Sequence, residues 1–256
     1  MIVKMHYTDQ LNRTIFILRP PQRIISLVPS QTELLVDLGL EDKIVGVTKF
    51  CVHPKGLTNR LTIVGGTKNY RMEVIEKLQP DLIIGNKEEN EQAGIEELMS
   101  NYPVWMSDIV SVEDSFKMIT DLGGLLGASE QAEKVVRQLK FDLSTPLPRK
   151  GSAIYLIWND PIMVAGRGTF INEMLGYAGF SNKVETVRYP VISHEELINY
   201  NPDYLFLSSE PYPFGESHRS FFQSLVPHSK VELVDGEMFS WYGSRLLHAR
   251  KYMETL

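Results

Sequence analysis

The loop Phe50-Cys51-Val52-His53-Pro54 sets an aromatic ring, a thiol and an imidazole side by side. Imidazole nitrogen and thiolate sulfur are ligands for iron, cobalt or zinc, which makes His53, with Cys51 nearby, a candidate metal ligand; a histidine hydrogen-bonded into the loop is the competing reading. Rings and amides recur at Tyr70, Asn86, Trp158-Asn159 and Trp241-Tyr242. Such rings offer area to a flat ligand, while hydroxyl, indole and amide groups fix its orientation. Lys68 and Arg167 add cations suited to ligand carboxylates or amides, although each reads equally as a solvated charge.

Bond-making chemistry is thinly represented. His194-Glu195-Glu196-Leu197-Ile198 lacks the second histidine of a zinc-protease helix. The chain has no Gly-x-Ser-x-Gly elbow and no phosphate loop ending in Gly-Lys-Ser/Thr; Gly166-Arg167-Gly168-Thr169 before a helix is only a weak anion signal. Binding without catalysis is therefore expected. A net charge of −6 and a pI near 5.6 argue against a nucleic-acid partner, which would call for a basic surface. One cysteine excludes an intrachain disulfide and any Cys-x-x-Cys site. No apolar run reaches the roughly 20 residues that span a bilayer, and Ile15-Phe16-Ile17-Leu18 is too short for the core of an export signal.

The elements that must position these residues are announced by a cassette that occurs twice. Glu73–Gly85 (EVIEKLQPDLIIG) and Glu195–Leu207 (EELINYNPDYLFL) each run from a helical stretch through a polar residue, Pro and Asp into an apolar strand. Proline disfavours helical backbone before it, so each helix must end at Gln79 or Asn201. The runs Leu82-Ile83-Ile84 and Tyr204-Leu205-Phe206-Leu207 then suit strands buried on both faces of a parallel sheet. Two such units so far apart predict two α/β lobes, with Glu73 and Glu195 at equivalent places and a cleft implied.

In the first lobe, strands are expected at Thr14–Leu18, Arg23–Val28, Lys43–Val47, Leu61–Val64 and Val104–Met106. Ser30-Gln31-Thr32-Glu33 reads as a capping box and Gly39 as a helix stop. A helical connector over 111–145 is expected to contain one long helix over about 129–145, a strut between lobes at 1–110 and 146–256. The second lobe opens with the strand Ala153–Trp158, and Ser193-His194-Glu195-Glu196 forms another capping box. Loops after strand ends are where open α/β sheets bind ligands, which selects Phe50, Thr67, Lys68, Tyr70, Asn86, Trp158 and Asn159 as cleft candidates.

Arg23–Leu35 (RIISLVPSQTELL), then Val45-Gly46-Val47 and Pro54, resembles the opening of the substrate-binding proteins of cobalamin and iron-siderophore ABC importers. Both cassettes and the stretch Asn172–Gly179 follow in that family's order, over nearly the whole chain, and the cobalamin-binding branch is the most similar. The resemblance implies two Rossmann-like lobes with central parallel sheets joined by one rigid helix. The implied ligand is a corrinoid such as cobalamin, a ferric siderophore or haem, held without a covalent cofactor. It further implies a monomer placed outside the cytoplasm that docks on a membrane permease through Glu73 and Glu195, one per lobe. Phe50 matches an aromatic position of the cobalamin binders, and Trp241-Tyr242 matches the loop that closes their pocket. Thr67 and Asn86 depart from the pattern, since cobalamin binders often show tryptophan there. A cytoplasmic metal- or tetrapyrrole-handling enzyme or sensor on the same scaffold is the alternative reading.

Overall fold

The structure, a computed structural model, describes residues 5–256. Packing divides the chain into two units: the first takes the described residues up to Ile109 with Glu113–Leu139 and Tyr242–Ser244, and the second takes Val110–Val112, Lys140–Trp241 and Arg245–Leu256.

In the first unit an antiparallel hairpin, β1 (Met5–Thr8) and β2 (Thr14–Ile17), precedes an α/β series. The series runs β3 (Ile24–Ser26), α1 (Pro29–Asp37), β4 (Ile44–Val47), α2 (Leu57–Arg60), β5 (Thr62–Ile63), α3 (Met72–Leu78), β6 (Leu82–Asn86), α4 (Gln92–Met99) and β7 (Val104–Ser107). Its five strands form one parallel sheet in the order β5-β4-β3-β6-β7. All five residues of β6 are buried, as expected for a central strand covered on both faces. Ile25, Ile83, Ile75 and Leu98 meet in the core beneath α3 and α4, and each such side chain contributes about 1.5–3 kcal/mol on burial. Helices α5 (Val112–Leu126) and α6 (Ser129–Asp142) follow.

The second unit contains β8 (Gly151–Trp158), β9 (Met163–Val164), α7 (Phe170–Tyr177), β10 (Phe180–Asn182), α8 (His194–Tyr200), β11 (Tyr204–Ser208), α9 (Glu216–Leu225), β12 (Lys230–Val234), α10 (Glu237–Ser240) and α11 (Leu246–Met253). Strands β10-β8-β11-β12 are parallel, and β9 adds an antiparallel partner to β8. The α/β class and the two parallel sheets are those expected from the sequence.

The repeated cassette is built the same way in both units. Gln79 (φ 44°, ψ 62°) and Asn201 (φ 44°, ψ 61°) end α3 and α8 in the left-handed region, and a proline follows each. The next aspartate then reaches the neighbouring strand. Asp81 accepts from the backbone N–H groups of Gln22 and Arg23 at 2.8–3.1 Å, just before β3. Asp203 accepts from Ser152 N–H at 2.7 Å and from its hydroxyl at 2.8 Å, in β8. These bonds hold the Asp203 carboxyl below the usual carboxylate range.

Several boundaries differ from expectation. Helix α1 begins at Pro29 with no side-chain cap, so Ser30 lies inside the helix; proline at the first turn lacks the N–H that a cap would satisfy. The second capping box is present, with Ser193 Oγ accepting from Glu196 N–H at 3.1 Å and the Glu196 carboxylate accepting from Ser193 N–H at 2.7 Å. Helix α6 closes at Asp142 rather than at about 145; Pro146 and Pro148 lie just beyond, and each disfavours helical geometry in the residue before it. Among the described residues no helix is long and apolar enough to cross a membrane.

A residue without a β-carbon relieves the left-handed turn, while a β-branched one worsens it. Gln79→Gly is therefore expected to be more stable than Gln79→Val by about 1–2 kcal/mol, as is Asn201→Gly relative to Asn201→Val, read from urea midpoints.

Candidate functional site

At the carboxyl edge of the first sheet, the loops after β4 and β5 are stitched together by backbone bonds. Lys49 N–H donates to Gly65 O at 2.9 Å, Gly66 N–H to Asn69 O at 2.9 Å, and Arg71 N–H to Val64 O at 2.8 Å. Gly65 adopts φ +126°, and a β-carbon there would lie 2.2 Å from Asn69 O, so only glycine fits this turn. The Thr67 carbonyl is a second anchor, accepting from Tyr70 Oη at 2.7 Å and from Asn90 Nδ2 at 2.9 Å. Burial pushes the Tyr70 phenol up to about 12, so it stays a donor at neutral pH.

These fixed loops enclose a depression of about 540 Å³, within the range of small-molecule sites. Phe50, Gly66, Thr67 and Lys68 line it together with Lys49 and Arg71. Phe50 is 49% exposed, and the Lys49 ammonium stands 5.0 Å from its ring centroid.

Other predicted residues are engaged differently. Asn86 is buried; its amide donates to Ser107 Oγ at 2.9 Å while its Oδ1 accepts from Glu88 and Glu89 N–H, so it shapes the turn after β6. Cys51 is also buried, with Sγ 3.1 Å from Thr32 Oγ1 and 3.3 Å from Thr48 Oγ1. Burial raises its thiol above the usual range, which disfavours the thiolate a metal requires. His53 is half-buried, and among the described residues no three His, Cys, Asp or Glu side chains gather to hold a metal.

Trp158 and Asn159 close β8 in the second unit. Trp158 is 39% exposed; its indole N–H donates to Asp160 O at 3.1 Å and its ring meets Tyr212 edge-on at 5.4 Å. Gly215 N–H donates to His218 Nδ1 at 3.1 Å, which leaves the proton of a neutral ring on Nε2, 3.0 Å from the Tyr212 oxygen. Arg167 is exposed and ion-paired with Glu185. Trp241 is buried and donates its indole N–H to Glu210 Oε1 at 2.9 Å. Tyr242, the next residue, belongs to the first unit, where its buried hydroxyl donates to Glu89 Oε1 at 2.6 Å. Neither ring of this pair faces solvent. Glu73 and Glu195 are both exposed, each in the first turn of its helix, α3 or α8.

The model of the Periplasmic binding protein family matches residues 24–226, which include both cassettes and the loops around the hollow but not Trp241-Tyr242. The chain belongs to this family. Its relatives include an uncharacterized ABC transporter substrate-binding lipoprotein of Bacillus subtilis, 27% identical over 93% of this chain and 81% of the relative. A vitamin B12-binding protein of Vibrio parahaemolyticus is 26% identical over 74% of this chain and 71% of the relative. Among solved structures, an iron-binding (periplasmic solute-binding) protein assignment from Staphylococcus epidermidis superposes with a TM-score of 0.77, at 25% identity, over 91% of this chain and 97% of that one. A periplasmic heme binding protein from Pseudomonas aeruginosa gives a TM-score of 0.78, at 24% identity, over 92% of each chain; at that identity the likeness concerns the fold. The family is one of binding proteins rather than enzymes, as the missing catalytic motifs led us to expect.

Within this periplasmic binding protein, Lys49, Arg71, Tyr212 and His218 were not selected from the sequence. Lys49 and Arg71 flank the chosen Phe50 and Tyr70, so adjacency was the available signal. The bond between Tyr212 and His218 had none, because it depends on how the loop after β11 turns.

Glu210 supports a pH test of the buried Trp241 contact. Burial raises its carboxyl above the usual range, against the lowering effect of bonds from Ser240 and Trp241. A carboxyl raised in the folded state costs stability above its folded pKa, and the cost is relieved as pH falls through that value. Glu210→Gln keeps an oxygen acceptor without the charge. It should stabilise the protein at pH 7, with the gain vanishing as melting is followed into acid.

Proposed function

We propose that this protein is the substrate-binding component of an ABC importer, working outside the cytoplasm to capture a corrinoid or related metal chelate and present it to a membrane permease. The observation that carries this reading is the preformed depression at the carboxyl edge of the first sheet, with the half-exposed Phe50 ring in its wall. Open α/β sheets bind ligands at that edge, and a loop already fixed by Gly65 and the Thr67 carbonyl loses little entropy on binding. The Bacillus relative, named for ABC transport, and the Vibrio relative, named for vitamin B12 binding, support both transport and a cobalamin-like cargo.

In this reading Phe50 lies against the face of the chelate and Thr67 and Lys68 meet its periphery; Trp158 and Asn159, at the end of β8, remain candidate ligand-binding residues. Asn86 and Tyr70 act by holding the loops in place. Glu73 and Glu195 meet cations of the permease, supported by their exposure and matching places on α3 and α8. Exposed charges of this kind govern encounter and orientation more than raw affinity.

Titration with cyanocobalamin, cobinamide, hemin and ferric siderophores, followed by visible absorbance and tryptophan fluorescence, should show at least one chelate binding far more tightly than millimolar. Phe50→Ala should weaken that chelate about tenfold through loss of ring contact, about 1.4 kcal/mol. Failure of every chelate would remove the reading.

The combined Glu73→Lys and Glu195→Lys variant should retain chelate binding yet lose association with the permease in nanodiscs. Unchanged association would remove the docking assignment.

A further inference from the structure

The depression in the first unit carries a charge opposite to that of the protein. The chain has a formal charge of −6, yet Lys49, Lys68 and Arg71 all line this one hollow, and no Asp or Glu does. Among the described residues none of the three cations appears in a salt bridge. Their placement is partly fixed. The Lys49 ammonium stands against the Phe50 ring, and the Arg71 guanidinium donates to Ile63 O at 2.5 Å. The nearby Glu91 carboxylate, which acts electrostatically on Tyr70, is bonded to the N–H groups of Ala93 and Gly94 at the start of α4.

Two other features have less reach. The Tyr212 hydroxyl, beside Trp158, is already engaged by His218 and by the Asn159 amide. The buried groups around Tyr242 are bonded mainly to one another. The hollow combines volume, an exposed ring and uncompensated charge.

We infer that the first unit selects an anionic chelate: a metal complex with an aromatic or planar face and at least two negatively charged oxygens at its edge, carboxylate or catecholate, in preference to a neutral one. This rests on the chelate-binding reading above and narrows it. Phe50 takes the face, while Lys49 and Lys68 take the anionic edge as charge-assisted partners. An apolar wall beside the cations lowers the local dielectric, so each pairing gains more than a fully solvated one would. The same charge draws anions toward a molecule whose overall charge repels them, an attraction that salt weakens.

The test uses the full chain with four probes: hemin, its dimethyl ester, ferric tris-catecholate and cyanocobalamin. Hemin and its ester share a face and differ in carboxylate charge. The expected result is that hemin or the tris-catecholate binds at least about tenfold tighter than the ester and cyanocobalamin, and that raising salt erodes this margin. Preference for one anionic probe over the other distinguishes carboxylate from catecholate chemistry. The combined Lys49→Gln and Lys68→Gln variant should lose about tenfold for the preferred anionic probe and nothing for the ester, with unchanged circular dichroism and melting; Phe50→Ala should weaken hemin and ester alike. Equal or tighter binding of a neutral probe, or a variant with undiminished anionic affinity, overturns the inference while leaving chelate capture intact. If none of the four binds, the inference falls together with the reading it narrows.

Discussion

The turn from helix to strand that appears once in each unit is the constraint on which the rest depends. A left-handed residue ends the helix, a proline prevents its continuation, and an aspartate binds the amide edge of the adjacent strand. This one device sets where β6 lies against β3 and where β11 lies against β8. With those registers fixed, an apolar strand crosses the core, and the chain emerges at the edge of the sheet where side chains are free to meet a ligand. Burial of the strands supplies stability, and the turn supplies their alignment.

At the emerging ends, polar groups divide into those that hold the loops and those that face outward. Asn86, Asn90 and Tyr70 direct their bonding capacity inward, onto Ser107 and onto the backbone of the loops after β5 and β6. Buried amides and hydroxyls are costly unless bonded, so this network resists rearrangement. Phe50, Lys49 and Lys68 remain outside it. The hollow is thus a rigid frame carrying a few adaptable side chains, the arrangement a binding protein needs if little free energy is to be lost in ordering the loops.

The fold was legible in the sequence because its signals are local. Apolar runs after Pro80 and Pro202, the Ser193 box and the stop at Gly39 each encode their own element, and together they require two parallel sheets. The site was less legible because exposure and partnership are not local. Phe50, Thr67 and Lys68 share a hollow, as a reading of strand-end loops suggests, but nothing in the spelling of Trp241-Tyr242 reveals that both rings are buried or that the two residues belong to different units. Lys49 and Arg71 look like ordinary surface charges until the pairing of Lys49 with Gly65 and of Arg71 with Val64 brings them to one wall.

Tyr242–Ser244 is a short segment of the first unit, set between stretches of the second. Its tyrosine hydroxyl meets Glu89 across 153 positions of chain, and its carbonyl accepts from Ser115 at 2.5 Å. During synthesis, the amino-terminal sheet leaves the ribosome long before this piece exists, so that unit is left unfinished until the strands of the second have been read. Contacts so distant along the chain form late and slowly. A nascent protein arrested before Tyr242 would therefore carry a gap in the half that was made first.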